Sequence, residues 1–173
     1  MAGASRSSSG AKREAAAVPP PEQLGGEGPE VLTDGPYRHM RLARPAFALG
    51  LASTYLAGRR PFAVQSAQEF IGTLMGEIQR RHYLLSFDEK GIAGYMGWGL
   101  CSMETALDWA HARRTPGYEE CLGGDTFTLF TIAAQGDEVV RSQRRVLKAQ
   151  YDKWPVIGRR IKNGQPRPLR LRG

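Results

Sequence analysis

The sequence predicts an α+β domain with a largely antiparallel sheet flanked by helices. Three observations carry that reading. Apolar residues recur at helical spacing as far as Arg80, and from His82 onward they form strand-like runs. Two turn signals, Asp88-Glu89-Lys90-Gly91 and Asn163-Gly164, each join two such runs. Between these hairpins, helical and strand-like segments alternate singly. The resulting order is ααββαβαββ.

Residues 1–42 read as a disordered arm and 43–173 as the folded domain. Met1–Gly10 is mostly Ser, Ala and Gly, and Val18–Gly28 is mostly Pro, Gly and Glu. Such segments bury too little to offset the entropy of ordering. The composition changes at Pro45-Ala46-Phe47, where the first helix begins, running from Ala46 to Gly58. A second helix spans Ser66 to Arg80 and opens with the capping box Ser66-Ala67-Gln68-Glu69. Phe70, Ile71, Leu74, Met75 and Ile78 form its apolar side. His82–Phe87 and Ile92–Leu100 are strands, with Gly91 suited to positive φ between them. Gly94, Gly97 and Gly99 mark the second strand as a place of close approach.

Ser102 caps a helix from Met103 to Ala112, and Glu104 opposes the dipole in its first turn. A loop from Arg113 to Gly124 leads to a strongly apolar strand, Asp125–Ala134. Asp137 then caps the longest helix, which runs to Trp154 and is stopped by Pro155. Val140, Leu147, Tyr151 and Trp154 form its apolar stripe; Arg141, Arg144, Arg145 and Lys148 form a basic face. Ile157–Lys162 and Arg167–Leu171 flank Asn163-Gly164 as the last hairpin.

Composition narrows the function. A chain of 173 residues suits one domain. No stretch approaches the ~20 continuous apolar residues of a membrane-spanning helix. Met1–Ala17 lacks the apolar core of a secretory signal, so the expected compartment is the cytoplasm. Two cysteines make no disulfide scaffold, and three histidines far apart in sequence, with no cysteine pair at ligand spacing, predict no metal site. The net charge is +7, and its excess is local: eleven cations follow Glu138, against Asp152 as the one further acid. A basic C-terminal third fits an acidic partner, whether protein, nucleic acid or anionic lipid, or else a solvated helix face and edge hairpin.

The chemistry visible residue by residue is sparse. No phosphate-binding loop of the Gly-x-x-x-x-Gly-Lys-Ser/Thr type is present. The turn Ala134-Gln135-Gly136-Asp137-Glu138 opens a helix, but its two acids would repel a pyrophosphate. Cys101 and Cys121 read as packed side chains, having no adjacent His to activate them. His82 reads as a strand-end side chain or a general base. Trp98, between Gly97 and Gly99, reads as core or as a ligand platform, and with Ser102 it is placed at a cleft.

One resemblance spans about half the chain, from Gly50 to Gly136. Its pieces are Leu49-Gly50, Tyr83-Leu84-Leu85, Gly94-Tyr95-Met96-Gly97-Trp98 with Ser102-Met103-Glu104, Gly124-Asp125, and Ile132-Ala133-Ala134-Gln135-Gly136. In this order and spacing they resemble the toxin-activating lysine acyltransferases, which fatty-acylate lysines of RTX haemolysins. The family has Ser-Trp-Ala then Leu-Ser-x-Glu at the third piece, and Ile-Ala-Pro-x-Gly at the last. The resemblance implies a fold similar to the GNAT acyltransferases, an acyl carrier protein as donor with no bound cofactor, and a protein lysine as acceptor. An acidic carrier would suit the face of Arg141, Arg144, Arg145 and Lys148.

The family's catalytic pair is not present. Its His, just after the first helix, falls near Phe62; its Asp falls on Phe130 or Thr131, depending on a one-residue gap. Neither phenyl ring can take a proton from an amine. His82, Asp125 and Asp137 stand as replacement candidates. Three functions follow as expectations: acyl transfer with a substituted base, a non-catalytic module holding a carrier protein or client, or nucleic-acid binding through the basic C-terminal third.

Overall fold

The computed structural model describes residues 30–162 and 165–171. It is a mixed α/β domain with one seven-stranded, mostly antiparallel sheet in the order β1 to β7. The strands are β1 Glu30–Asp34, β2 Tyr37–Arg41, β3 Tyr83–Asp88, β4 Gly91–Cys101, β5 Thr126–Ala134, β6 Val156–Lys162 and β7 Gln165–Leu171. Four helices connect them: α1 Pro45–Ala57, α2 Ala67–Gln79, α3 Met103–Ala110 and α4 Asp137–Tyr151. Among the described residues, no helix is long and apolar enough to cross a membrane.

From Pro45 onward the elements follow the predicted succession, but two strands precede it. The boundary at residue 43 is therefore corrected: Glu30–Arg41 is a hairpin paired to β3 through Arg38↔Phe87, His39↔Ser86 and Met40↔Leu85. Its turn carries Asp34-Gly35, with Gly35 at φ +59°. The rest of the expected arm lies outside the described residues, as does the turn Asn163-Gly164.

The hairpin is fastened by polar groups rather than by bulk. Arg41, 6% exposed, donates twice to the Glu30 carboxylate at 2.7 Å and once to the Tyr83 carbonyl at 3.2 Å. His39 is fully buried between Ser86 and Ser142, each 2.8 Å from a ring nitrogen. Ser142 has one hydroxyl proton, and the Asp34 carboxylate takes it. Ser142 must then accept from His39 Nε2–H, which leaves Nδ1 to accept from Ser86. Gln143 Nε2–H in turn donates to Ser86 at 2.8 Å. Every bond in this chain points toward Asp34, which also pairs with Arg145 at 2.7 Å.

Helix signals behave as the residues dictate. Ser66 and Ser102 each accept from the backbone N–H three residues on, and Gly91 has φ +124°. α4 differs: Gly136 is its N-cap, Asp137 is its first residue, and it ends at Tyr151 rather than Trp154. Its buried face is Val139, Ser142, Gln143 and Leu147, turned from the predicted stripe toward the polar chain beneath it.

One core lies under α1 and α2, with Tyr55, Leu56, Leu74, Ile78, Tyr83, Leu85 and Tyr95. A second lies under α4, where Trp98 stacks on Phe127 at 5.2 Å beside Leu84, Met96 and Leu147. A third, under α3, holds Cys101, Trp109, Cys121 and Ile157.

Replacing His39 with Leu leaves the buried Ser86 O–H without its acceptor and takes from Ser142 the donor it accepts from. The expected cost is about 2–4 kcal/mol in urea unfolding, against near zero for a surface substitution such as Arg38→Gln.

Candidate functional site

The sheet opens between β5 and β6. These two strands are parallel and pair only through Phe127↔Val156, Thr128↔Ile157 and Leu129↔Gly158. β5 continues to Ala134 against β4 alone, while β6 continues against β7. At the point of separation β5 is irregular: Gly97 pairs with Thr131 and Trp98 with Leu129, so Phe130 is the extra residue of a bulge. Side chains normally alternate along a strand. The bulge breaks the alternation, and both Phe130 and Thr131 face the α2–α3 side.

A cavity lies on each face of the opening. The one beneath α4 is about 370 Å³ and is apolar inside, with Met96, Phe127, Leu129, Ile132, Val140 and Leu147. Arg141, Arg144, Arg145, Lys148 and Asp152 border it. This is where the predicted basic face lies, and much of its charge is already engaged. Arg141 pairs with Glu138 at 2.7 Å, Arg145 with Asp34 at 2.7 Å, and Lys148 with Asp152 at 3.3 Å.

The cleft on the opposite face is about 760 Å³, lined by α2, the loop after α3, and Phe62, Cys121, Phe130, Thr131 and Arg159. Phe62, Phe130 and Thr131, the positions compared with the family's pair, therefore share one cleft. Directly behind Thr131 lies Glu77 of α2, which is 0% exposed. Thr131 Oγ1 donates to its carboxylate at 2.7 Å and Tyr95 donates to it at 2.8 Å. Burial pushes the Glu77 carboxyl up to about 7 against the opposing effect of both hydroxyls.

β4 makes room for this arrangement. A Cβ on Gly97 would stand 2.1 Å from a Glu77 oxygen, and one on Gly99 would stand 2.6 Å from the Phe130 ring. Where those groups stand there is no room for a methyl, so the two glycines admit the acid and the ring. Cys101 and Cys121 close the wall nearby, with sulfurs 3.8 Å apart and no disulfide. The hydrogen bond they share holds Cys101 down to about 7 and pushes Cys121 up.

The other expected site residues fall elsewhere. His82 lines neither cavity: its ring stacks on Trp98 at 5.9 Å, and burial lowers its pKa to about 4, leaving it neutral. Trp98 is 0% exposed, a core residue rather than a platform. Ser102 caps α3, Asp125 accepts from the Thr126 hydroxyl, and Asp137 begins α4; none lines either of these two cavities. The described residues contain no group of three or more His, Cys, Asp or Glu able to hold a metal.

Glu77 is the residue the sequence reading passed over. An acid on an amphipathic helix reads as solvated, yet 77 follows Leu74 by three and Phe70 by seven, inside the apolar stripe. A carboxylate at that phase is the signal that was available. No protein-family model matches the sequence, and no curated protein is similar to it.

A raised carboxyl pKa makes folding favour the protonated acid. Stability from this group is full below pH 4.5 and is lost as pH rises through about 7. Glu77→Gln removes that loss. Between pH 4.5 and 7.5 its unfolding free energy should gain roughly 3 kcal/mol on the wild type. A constant difference in urea titrations across that range would show that Glu77 is not the buried titrating group.

Proposed function

We propose that this chain is an acyltransferase of the toxin-activating type, moving an acyl group from a carrier-protein thioester to a protein lysine on a GNAT-like scaffold. The observation that carries the reading is the opening between β5 and β6. It has an apolar cavity with a cationic border on one face and a buried acid on the other. A thioester entering beneath α4 lays its chain against Met96, Leu129, Ile132 and Val140, and the carrier's acidic surface meets Arg141, Arg144, Arg145 and Lys148. The acceptor amine enters from the α2 side.

The proton path runs through Thr131. Its hydroxyl accepts an N–H of the amine and passes its own proton to Glu77, to which it is already hydrogen-bonded. The amine nitrogen bonds to the thioester carbon, the carbon–sulfur bond breaks, and the proton returns from Glu77 through the Thr131 hydroxyl to the leaving thiolate. The β6-facing amides of β5 beyond Leu129 have no strand partner and are suited to the oxyanion. In this scheme Glu77, from α2, takes the role of the family's Asp, which the resemblance places on Phe130 or Thr131 of β5.

A second reading rests on Phe62. It lines the α2-side cleft where the family carries its His, and it supplies no base. That favours a module that holds an acylated carrier protein without transfer.

Single-turnover decay of a labelled long-chain acyl carrier protein separates the two. Acyl transfer predicts thioester loss that needs a lysine acceptor, rises with pH through about 7, and falls about a hundredfold or more in Glu77→Gln. Tight carrier binding with no loss beyond buffer would establish the second reading.

A further inference from the structure

The α2-side cleft contains two guanidinium groups, and among the described residues neither lies within 4 Å of a carboxylate oxygen, although the charge of Arg80 is felt by Glu77 behind the cleft wall. Arg80 leaves the C-terminal end of α2 and lies over the Tyr118 ring, 5.2 Å from its centroid. Its Nε is out of contact with water and has no hydrogen-bond acceptor. Arg159 comes from β6, on the other bank of the opening, and lies over Trp109 at 4.6 Å. Its Nη1 donates a long, 3.4 Å hydrogen bond to the Trp109 carbonyl. Partial burial there lowers its pKa.

Six other arginines are paired with acids. Arg41, Arg81, Arg113, Arg114, Arg141 and Arg145 all sit within 4 Å of a carboxylate oxygen. The acids near the cleft are committed elsewhere. Glu120 is held by Arg114 and by the Gly117 N–H, Glu69 receives the Ser66 hydroxyl at the start of α2, and Glu77 is sealed behind Thr131. A guanidinium placed over an aromatic ring and without a carboxylate partner has donors to offer a planar, bidentate acceptor. The Arg80 Nε is already buried without a partner, which makes the gain from such an acceptor larger there.

From this arrangement we infer that the α2-side cleft binds a carboxylate carried on an apolar or aromatic body, with Arg80 and Arg159 as its cationic walls and Phe62, Trp109, Tyr118 and Phe130 as its apolar ones. Only the naming of the bearer rests on the proposed acyl transfer: two arginines repel an isolated ammonium, so the acceptor amine arrives beside a carboxylate that offsets them. The carboxylate belongs either to a small acid or to an acidic side chain next to the acceptor lysine.

Calorimetric titration of the full chain tests the site without any acyl donor. The probes are 3-phenylpropionate against 3-phenylpropanamide, and the blocked peptide Phe-Glu-Lys-Glu-Phe against its version with Gln in place of Glu. The expected result is that at least one acid binds about tenfold or more tightly than its neutral twin, a gap of roughly 1.4 kcal/mol. Arg80→Met and Arg159→Met each abolish the gap, and Arg38→Gln on β2 keeps it. Preference for the free acid alone assigns a small-molecule ligand; preference for the glutamyl peptide assigns an acidic acceptor segment. Equal binding of twins, a gap that survives in both variants, or no acid bound at about 10 mM overturns the inference. Because the readout is binding, a failure of acyl transfer and a failure of this site are distinguishable.

Discussion

β5 and β6 hold each other for three residue pairs and then separate, and both cavities exist because they do. Parallel strands with further pairing would close the sheet and bring α4 and α2 to opposite sides of a continuous wall. Here β6 turns away with β7, and the bulge at Phe130 adds local twist where contact ends. The α4 cavity and the α2-side cleft are two mouths of the same interruption. Their chemistry differs because β5 presents apolar side chains to one and Phe130 and Thr131 to the other.

The interruption is kept in place by rigid packing on each flank. On one side the hydrogen-bond chain from Gln143 to Asp34 ties α4 to the first hairpin and to β3, so the helix bordering the apolar cavity is positioned from the far edge of the sheet. On the other, Glu77 bonds two strands at once, Tyr95 on β4 and Thr131 on β5. A buried acid that is hydrogen-bonded on both oxygens orders its surroundings, and one whose proton is lost near neutrality is also able to exchange it.

The parts of the fold set by local rules were legible in the sequence. Ser66 and Ser102 cap helices because a hydroxyl meets a free N–H, and Gly91 turns the β3–β4 hairpin because its φ is positive. The first hairpin was missed although Asp34-Gly35 is a turn signal, because its strands are short and polar and take their burial from partners more than forty residues away. The site was legible only in outline. Phe62, Phe130 and Thr131 line one cleft, but the acid behind them comes from α2, and nothing local to β5 announces it. His82 and Trp98 had the residue types of a site and the environment of a core. Tertiary packing, which decides between those, has no local sequence signature.

The bulge at Phe130 has an evolutionary consequence. Along a regular strand, changing which side chain enters a cleft takes a substitution at that position. Here two successive residues face the same way only because one is extra. Deleting a single residue between Leu129 and Ile132 would restore alternation and send one of the pair to the opposite face, with the flanking residues in place. In a fold built this way, short insertions and deletions in β5, rather than point changes, are the economical route by which one set of reactive groups is exchanged for another.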